Sequence, residues 1–71
     1  MQYMVCCVPL SPLRASPSHK AEMVSQQLFG EKSVIIEHGN DPVATGWVKI
    51  EMKYDGYQGW CQDSHLAELD E

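Results

Sequence analysis

Seven consecutive residues, Tyr54-Asp55-Gly56-Tyr57-Gln58-Gly59-Trp60, constrain the fold of this chain most. An Asp-Gly pair between two strand-like runs predicts a two-residue type I′ turn, which needs positive φ at both central positions. Pairing outward from that turn sets Tyr54 opposite Tyr57, Met52 opposite Gly59, Glu51 opposite Trp60 and Ile50 opposite Cys61. Side chains alternate along a strand, so Ile50, Met52, Gly59 and Cys61 share one face. Lys49, Glu51, Lys53, Gln58 and Gln62 share the other. A slip of one residue would bury the charges, so the register is strongly held.

The rest of the chain reads as further short strands. Residues 3–8 and 23–29 are predicted strands, as are 33–38, with Val34 and Ile36 on one face. Residues 20–29 also tolerate helix. From Pro9 to Glu22 the chain holds Pro9, Pro12 and Pro17 with three serines, which predicts a long irregular connection. Gly39-Asn40-Asp41-Pro42 is a turn cluster. Ser64 to Leu69 predicts one helical turn and a brief closing strand. Five short strands, one long early loop and no long helix point to an all-β fold, a small barrel. The expected core is Val24, Leu28, Val34, Ile36, Val48, Ile50 and Cys61. Residues 1–69 form the predicted domain, and Asp70-Glu71 the start of a linker.

Composition excludes several functions. Seventy-one residues make one domain, near the lower limit for folding unaided. An apolar share of 44% is too high for a disordered tail. Net charge is −5, and the five cations, Arg14, Lys20, Lys32, Lys49 and Lys53, are scattered along the sequence. No basic stripe exists to neutralise phosphates or anionic lipid, so neither nucleic acid nor membrane is an expected partner. The start of the chain lacks the basic region and long apolar run of a signal peptide. Three cysteines, Cys6, Cys7 and Cys61, without such a peptide predict reduced thiols in a cytoplasmic protein. They and His19, His38 and His65 lack metal-ligand spacing, so no metal or other cofactor is expected.

Read in order, Pro9-Leu10, Leu13-Arg14, Val24, Leu28-Phe29-Gly30-Glu31, Val34, Ile36, Trp47-Val48-Lys49-Ile50, Gly56, Gly59-Trp60 and His65-Leu66 resemble a bacterial SH3 domain over essentially the whole chain. Pro12-Leu13-Arg14-Ala15, Pro17-Ser18, Glu22-Met23-Val24-Ser25-Gln26 and Tyr54-Asp55-Gly56-Tyr57 are similar to the N-terminal SH3 domain of NlpC/P60 cysteine peptidases of the dipeptidyl-peptidase VI kind. The resemblance implies an SH3-like barrel packed beside a catalytic domain of the same polypeptide. It also implies a cytoplasmic enzyme that cleaves cell-wall peptides bearing a free N-terminal L-Ala. An acidic residue of the first loop and a tyrosine after the distal hairpin hold the substrate amine in that family. The matching positions here are Glu22 and Tyr57.

This chain carries no catalytic residues of its own. The family's nucleophile segment does not occur, and the three cysteines lie in strand-like contexts with no helix N-terminus to lower a pKa. From the residues alone Glu22 is a solvated loop carboxylate, and Tyr57 a tyrosine closing the barrel rim beside Tyr54. Trp47 and Trp60 fall on the outer face of the hairpin, where they form either a ligand platform or the docking surface for the next domain. The leading expectation is a substrate-gating and docking module of a muropeptide peptidase. The alternative is a free-standing cell-wall or peptide-binding module. A reading frame continuing past Glu71 for about 100–150 residues, one domain's worth, would favour the first.

Overall fold

In the computed structural model, which describes residues 3–40, 42 and 44–69, the Asp55-Gly56 segment reverses the chain through four residues rather than two. Met52 N–H donates to Tyr57 O (2.8 Å) and Gly56 N–H to Met52 O (2.8 Å), leaving Lys53 to Gly56 as the loop. Gly56 alone takes the left-handed conformation there, at φ +74°, and Asp55 does not. Asp55 instead accepts Tyr57 N–H on its carboxylate at 3.0 Å. That bond holds the turn by side-chain mimicry of a backbone turn. The longer loop shifts every expected pair by two residues, so Trp60 faces Lys49, Gly59 faces Ile50 and Gln58 faces Glu51. A shift of two keeps each side chain on its expected face.

The strands are β1 (Tyr3–Cys6), β2 (Leu10–Arg14), β3 (Met23–Leu28), β4 (Lys32–His38), β5 (Trp47–Met52), β6 (Gln58–Gln62) and β7 (Leu66–Glu68). A 3-10 turn, Asp63–His65, joins β6 to β7. They form one curled antiparallel sheet in the order β3-β2-β6-β5-β4-β1-β7, a small SH3-like barrel. Asp70 and Glu71, the predicted start of a linker, lie outside the described residues, as does Asp41 of the predicted turn.

The Pro9–Glu22 stretch is where the expectation fails. Leu10–Arg14 is a strand, paired along β3 from Leu10↔Leu28 to Arg14↔Met23. Ser11 and Leu13 are fully buried. Residues 23–28 are accordingly strand, not helix. Pro12 faces Gln26, and β6 meets β2 only at Arg14, so the missing N–H interrupts no ladder with β6. Where five strands and a brief closing one are expected the sheet has seven, and the addition is β2, which lies between β3 and β6 and brings Leu13 into the core.

The core is Leu13, Val48, Ile50, Met52, Cys61 and Leu66, with Met4, Val24 and Ile35 packed on it. Three expected core residues are not in it: Leu28 is 48% exposed and Ile36 46%, and Val34 is only half-buried, on the face of β4 turned away from the core. In β4 the inward positions are Ser33, opposite Met52, and Ile35, opposite Ile50. An unbroken Val34-Ile35-Ile36 run cannot reveal its own phase. In β3 the inward position is Gln27, fully buried beside Cys61, which turns Leu28 outward. Gly59 is required where β6 crosses β2, since a Cβ there would stand 2.8 Å from Leu13 Cβ. His65 closes the barrel end. Its carbonyl accepts Cys7 N–H at 2.9 Å, and its Nδ1 bonds the buried Ser11 hydroxyl at 2.9 Å.

Candidate functional site

The tip between β2 and β3 is built from local turns. Ala15 N–H donates to Glu22 O (2.9 Å) and closes the loop at its base. Inside it, Ser18 N–H bonds Ser16 O at 2.8 Å and Lys20 N–H bonds the Ser18 hydroxyl at 3.1 Å. Serine favours such turns because its hydroxyl competes for nearby backbone donors. Arg14 Nη1 then donates to Ala21 O at 3.1 Å and ties the loop to the sheet. The Glu22 backbone is therefore held, while its side chain is exposed to solvent.

Tyr57 ends the distal loop and enters β6, its ring 43% exposed. Alternation puts it with Gly59 and Cys61, at the rim beyond the core, with its N–H fixed by Asp55. Tyr54 is the most exposed of the tyrosines described and is no part of the rim's packing. Met23 pairs with Arg14, and Arg14 pairs with Trp60. β3 and β6 are thus separated by β2 alone, about 10 Å at two strand spacings, with Glu22 immediately before the first and Tyr57 immediately before the second.

The two tryptophans part company. Both lie on the outer face of β5–β6, as the pairs Trp47↔Gln62 and Lys49↔Trp60 require. Trp47 is nonetheless only 9% exposed, because the first loop folds over it. The His19 ring meets it edge-on, with centroids 5.0 Å apart and planes at 70°. It is not the open exterior tryptophan that the sequence predicts. Trp60 is half-buried beside Arg14 and retains an accessible surface. Sequence reasoning missed both Arg14 and His19. Their roles depend on a loop folding back on the sheet, which leaves no periodic signal.

The two buried thiols, Cys6 and Cys61, are chemically quiet. Burial pushes Cys61 up to about 12, against a smaller opposing pull from the Gln27 amide. Cys6 is also raised by burial, its Sγ lying 3.3 Å from Val8 O. A thiol raised this way stays protonated near neutrality and is a poor nucleophile or ligand. Cys7 is exposed, and all three are free thiols. Among the described residues no three His, Cys, Asp or Glu side chains cluster as a metal site. No helix among them is long and apolar enough to cross a membrane.

Residues 13–66 match the protein family described as bacterial dipeptidyl-peptidase Sh3 domain. No curated protein matches the chain significantly.

Proposed function

Because the chain belongs to the bacterial dipeptidyl-peptidase SH3 domain family, we propose that it is the substrate-gating and docking module of an NlpC/P60 cysteine peptidase. The parent enzyme hydrolyses cell-wall peptides with a free N-terminal L-Ala, in the cytoplasm. The SH3 domain itself is the non-catalytic accessory part. The catalytic domain follows in the same polypeptide, joined by a linker that begins near Asp70. Glu22 and Tyr57 contribute to a pocket for the substrate ammonium, and the outer surface around Trp60 meets the catalytic domain.

The observation that supports this reading is the pairing Met23–Arg14–Trp60, which leaves one strand between β3 and β6, the strands that Glu22 and Tyr57 lead into. A carboxylate and a phenol suit an ammonium chemically. At ~4 Å and an effective dielectric near 20 the charge pair is worth ~4 kcal/mol before desolvation. Acylation of the amine would forfeit that attraction and leave the carboxylate unpaired, which makes the site selective for free N-termini.

The test is made in the full-length enzyme. Glu22→Gln is expected to lower kcat/KM on substrates with a free N-terminal alanine by ~10- to 100-fold, the loss of one charge-assisted hydrogen bond. Already poor N-acylated substrates should be nearly unaffected. Equal losses on both would make Glu22 a structural residue and sink the pocket.

A further inference from the structure

Away from Glu22, the turn after β3 and the start of the distal loop, the loop that Tyr57 ends, meet at one corner of the barrel. Lys53 N–H donates to Lys32 O at 3.0 Å, so two of the chain's five cations, far apart in sequence, are neighbours in space. The Lys53 ammonium is held rather than free. It lies 4.9 Å from the centre of the Tyr3 ring and 3.3 Å from the Tyr3 hydroxyl.

Two carboxylates of this region, Glu31 on the cleft wall and Glu51 of β5, each accept a hydrogen bond from a neutral donor. Glu31 accepts Leu28 N–H at 2.6 Å, and Glu51 accepts the Gln58 amide at 2.9 Å. Neither lysine has a carboxylate partner among the described residues, in a chain whose net charge is −5. Between them opens a shallow cleft of about 320 Å³ with largely apolar walls, lined by Gly30, Glu31, Lys32, Lys53 and Tyr54. That volume lies at the small end of ligand-binding clefts. The Tyr54 ring, 87% exposed, stands beside it with no packing role in the core.

We infer that this corner is a second binding site, which takes a short peptide carrying carboxylates next to an apolar side chain. The carboxylate meets the Lys53 and Lys32 ammoniums, and the apolar side chain lies on the cleft wall against Tyr54. The site uses neither Glu22 nor Tyr57, the two residues of the amine pocket proposed above.

The experiment titrates the 71-residue chain with N-acetyl-Leu-Asp-Glu and follows backbone amide shifts by NMR. Its control is N-acetyl-Leu-Asn-Gln-amide, of the same size without carboxylates. Saturable shifts are expected at Gly30, Lys32, Lys53 and Tyr54, with a Kd near 1 mM, in the range of a single solvent-exposed contact site. Lys53→Gln and Lys32→Gln should each weaken binding about 5-fold or more, while Lys53→Arg retains it. Raising the salt from ~0.05 to ~0.5 M should weaken it as well, since exposed charges are screened. The two lysine variants leave the core untouched, and an unchanged spectrum away from the corner verifies their fold. Equal shifts with the uncharged peptide, shifts centred on other residues, or no shifts at millimolar peptide would each overturn the site. Glu22→Gln should bind the peptide as the parent chain does, so failure here and failure of the amine pocket are separate results.

Discussion

The two hairpins of the sheet place opposite chemistry in the interior. In β5–β6 the inward residues are Val48, Ile50, Met52 and Cys61, and the outward ones are polar or charged apart from the tryptophans. In β2–β3 the fully buried residues include Ser11 and Gln27, while Leu10, Met23 and Leu28 face water. Both are antiparallel pairs, and both are needed to enclose the core. The difference lies in what each polar group meets. Ser11 is tolerated inside because His65 bonds it across the barrel opening. Gln27 and Ser33 have side-chain atoms buried without a hydrogen-bond partner. Such groups cost about 1–3 kcal/mol each. The β5–β6 hairpin can thus be specified by its own alternation, whereas the β2–β3 arm is specified by what it docks against.

The sharpest way to break this comparison is to truncate one core residue from each hairpin. Leu13 and Ile50 are both fully buried and share one cluster. Leu13→Ala and Ile50→Ala are each expected to cost ~2–5 kcal/mol in urea denaturation, a large part of the stability of so small a domain. If Leu13→Ala cost under ~1 kcal/mol, the arm would be a flap on an independent barrel rather than part of its core.

A smaller effect sits on the seam between the hairpins, where Cys61 of β6 lies beside Gln27 of β3. The thiol's ordinary value is 9.0 and burial raises it to about 12 in the folded chain. Between those values the folded state keeps the proton and the unfolded state has lost it. Stability from this group is therefore fully present below pH 9 and falls as pH rises, by about 1.4 kcal/mol per pH unit. Urea unfolding at pH 7 and pH 10 should show that extra loss in the parent chain relative to Cys61→Ala. Equal alkaline losses in both proteins would mean that the seam admits water to the thiol.

The contrast also explains how much could be read from sequence. The β5–β6 faces are legible because charge and apolar residues alternate, and the closing turn and strand because Ser64 to Leu69 is too short for more than one helical turn and a brief strand. The loop length is not, since Asp-Gly serves a two-residue turn as readily as a longer one. The β2 strand was hidden by Pro9 and Pro12, although Ser11 and Leu13 already carried its period. In β4, three consecutive β-branched residues erase the phase, so Val34 and Ile36 are expected inside where Ser33 and Ile35 are. Glu22 and Tyr57 entered only through resemblance. A lone loop carboxylate and a rim tyrosine carry no spacing of their own, and the order β3-β2-β6, which sets one strand between the two strands they lead into, is not written in either residue. The covering of Trp47 by His19 required the path of a loop that no local rule supplies.

The gentlest prediction separates polarity from position most directly. Leu28 ends a strand in an apolar context, and sequence reasoning places it in the core, where its truncation would cost ~2–5 kcal/mol. In the folded chain it faces outward across from Leu10, with nearly half of its surface in water. Its backbone, not its side chain, carries the structural role, since Leu28 N–H is held by Glu31 Oε1 and its carbonyl accepts Glu31 N–H at 3.0 Å. Truncation leaves both bonds intact and opens no interior cavity. Leu28→Ala should therefore cost only ~0.5 kcal/mol, within the range of surface substitutions. The corresponding loss for Ile50→Ala, measured in the same urea series, is expected to be at least several-fold larger. Comparable losses at the two positions would turn β3 over, with Leu28 inside and Gln27 outside. The arm would then follow the same inward-apolar rule as β5–β6.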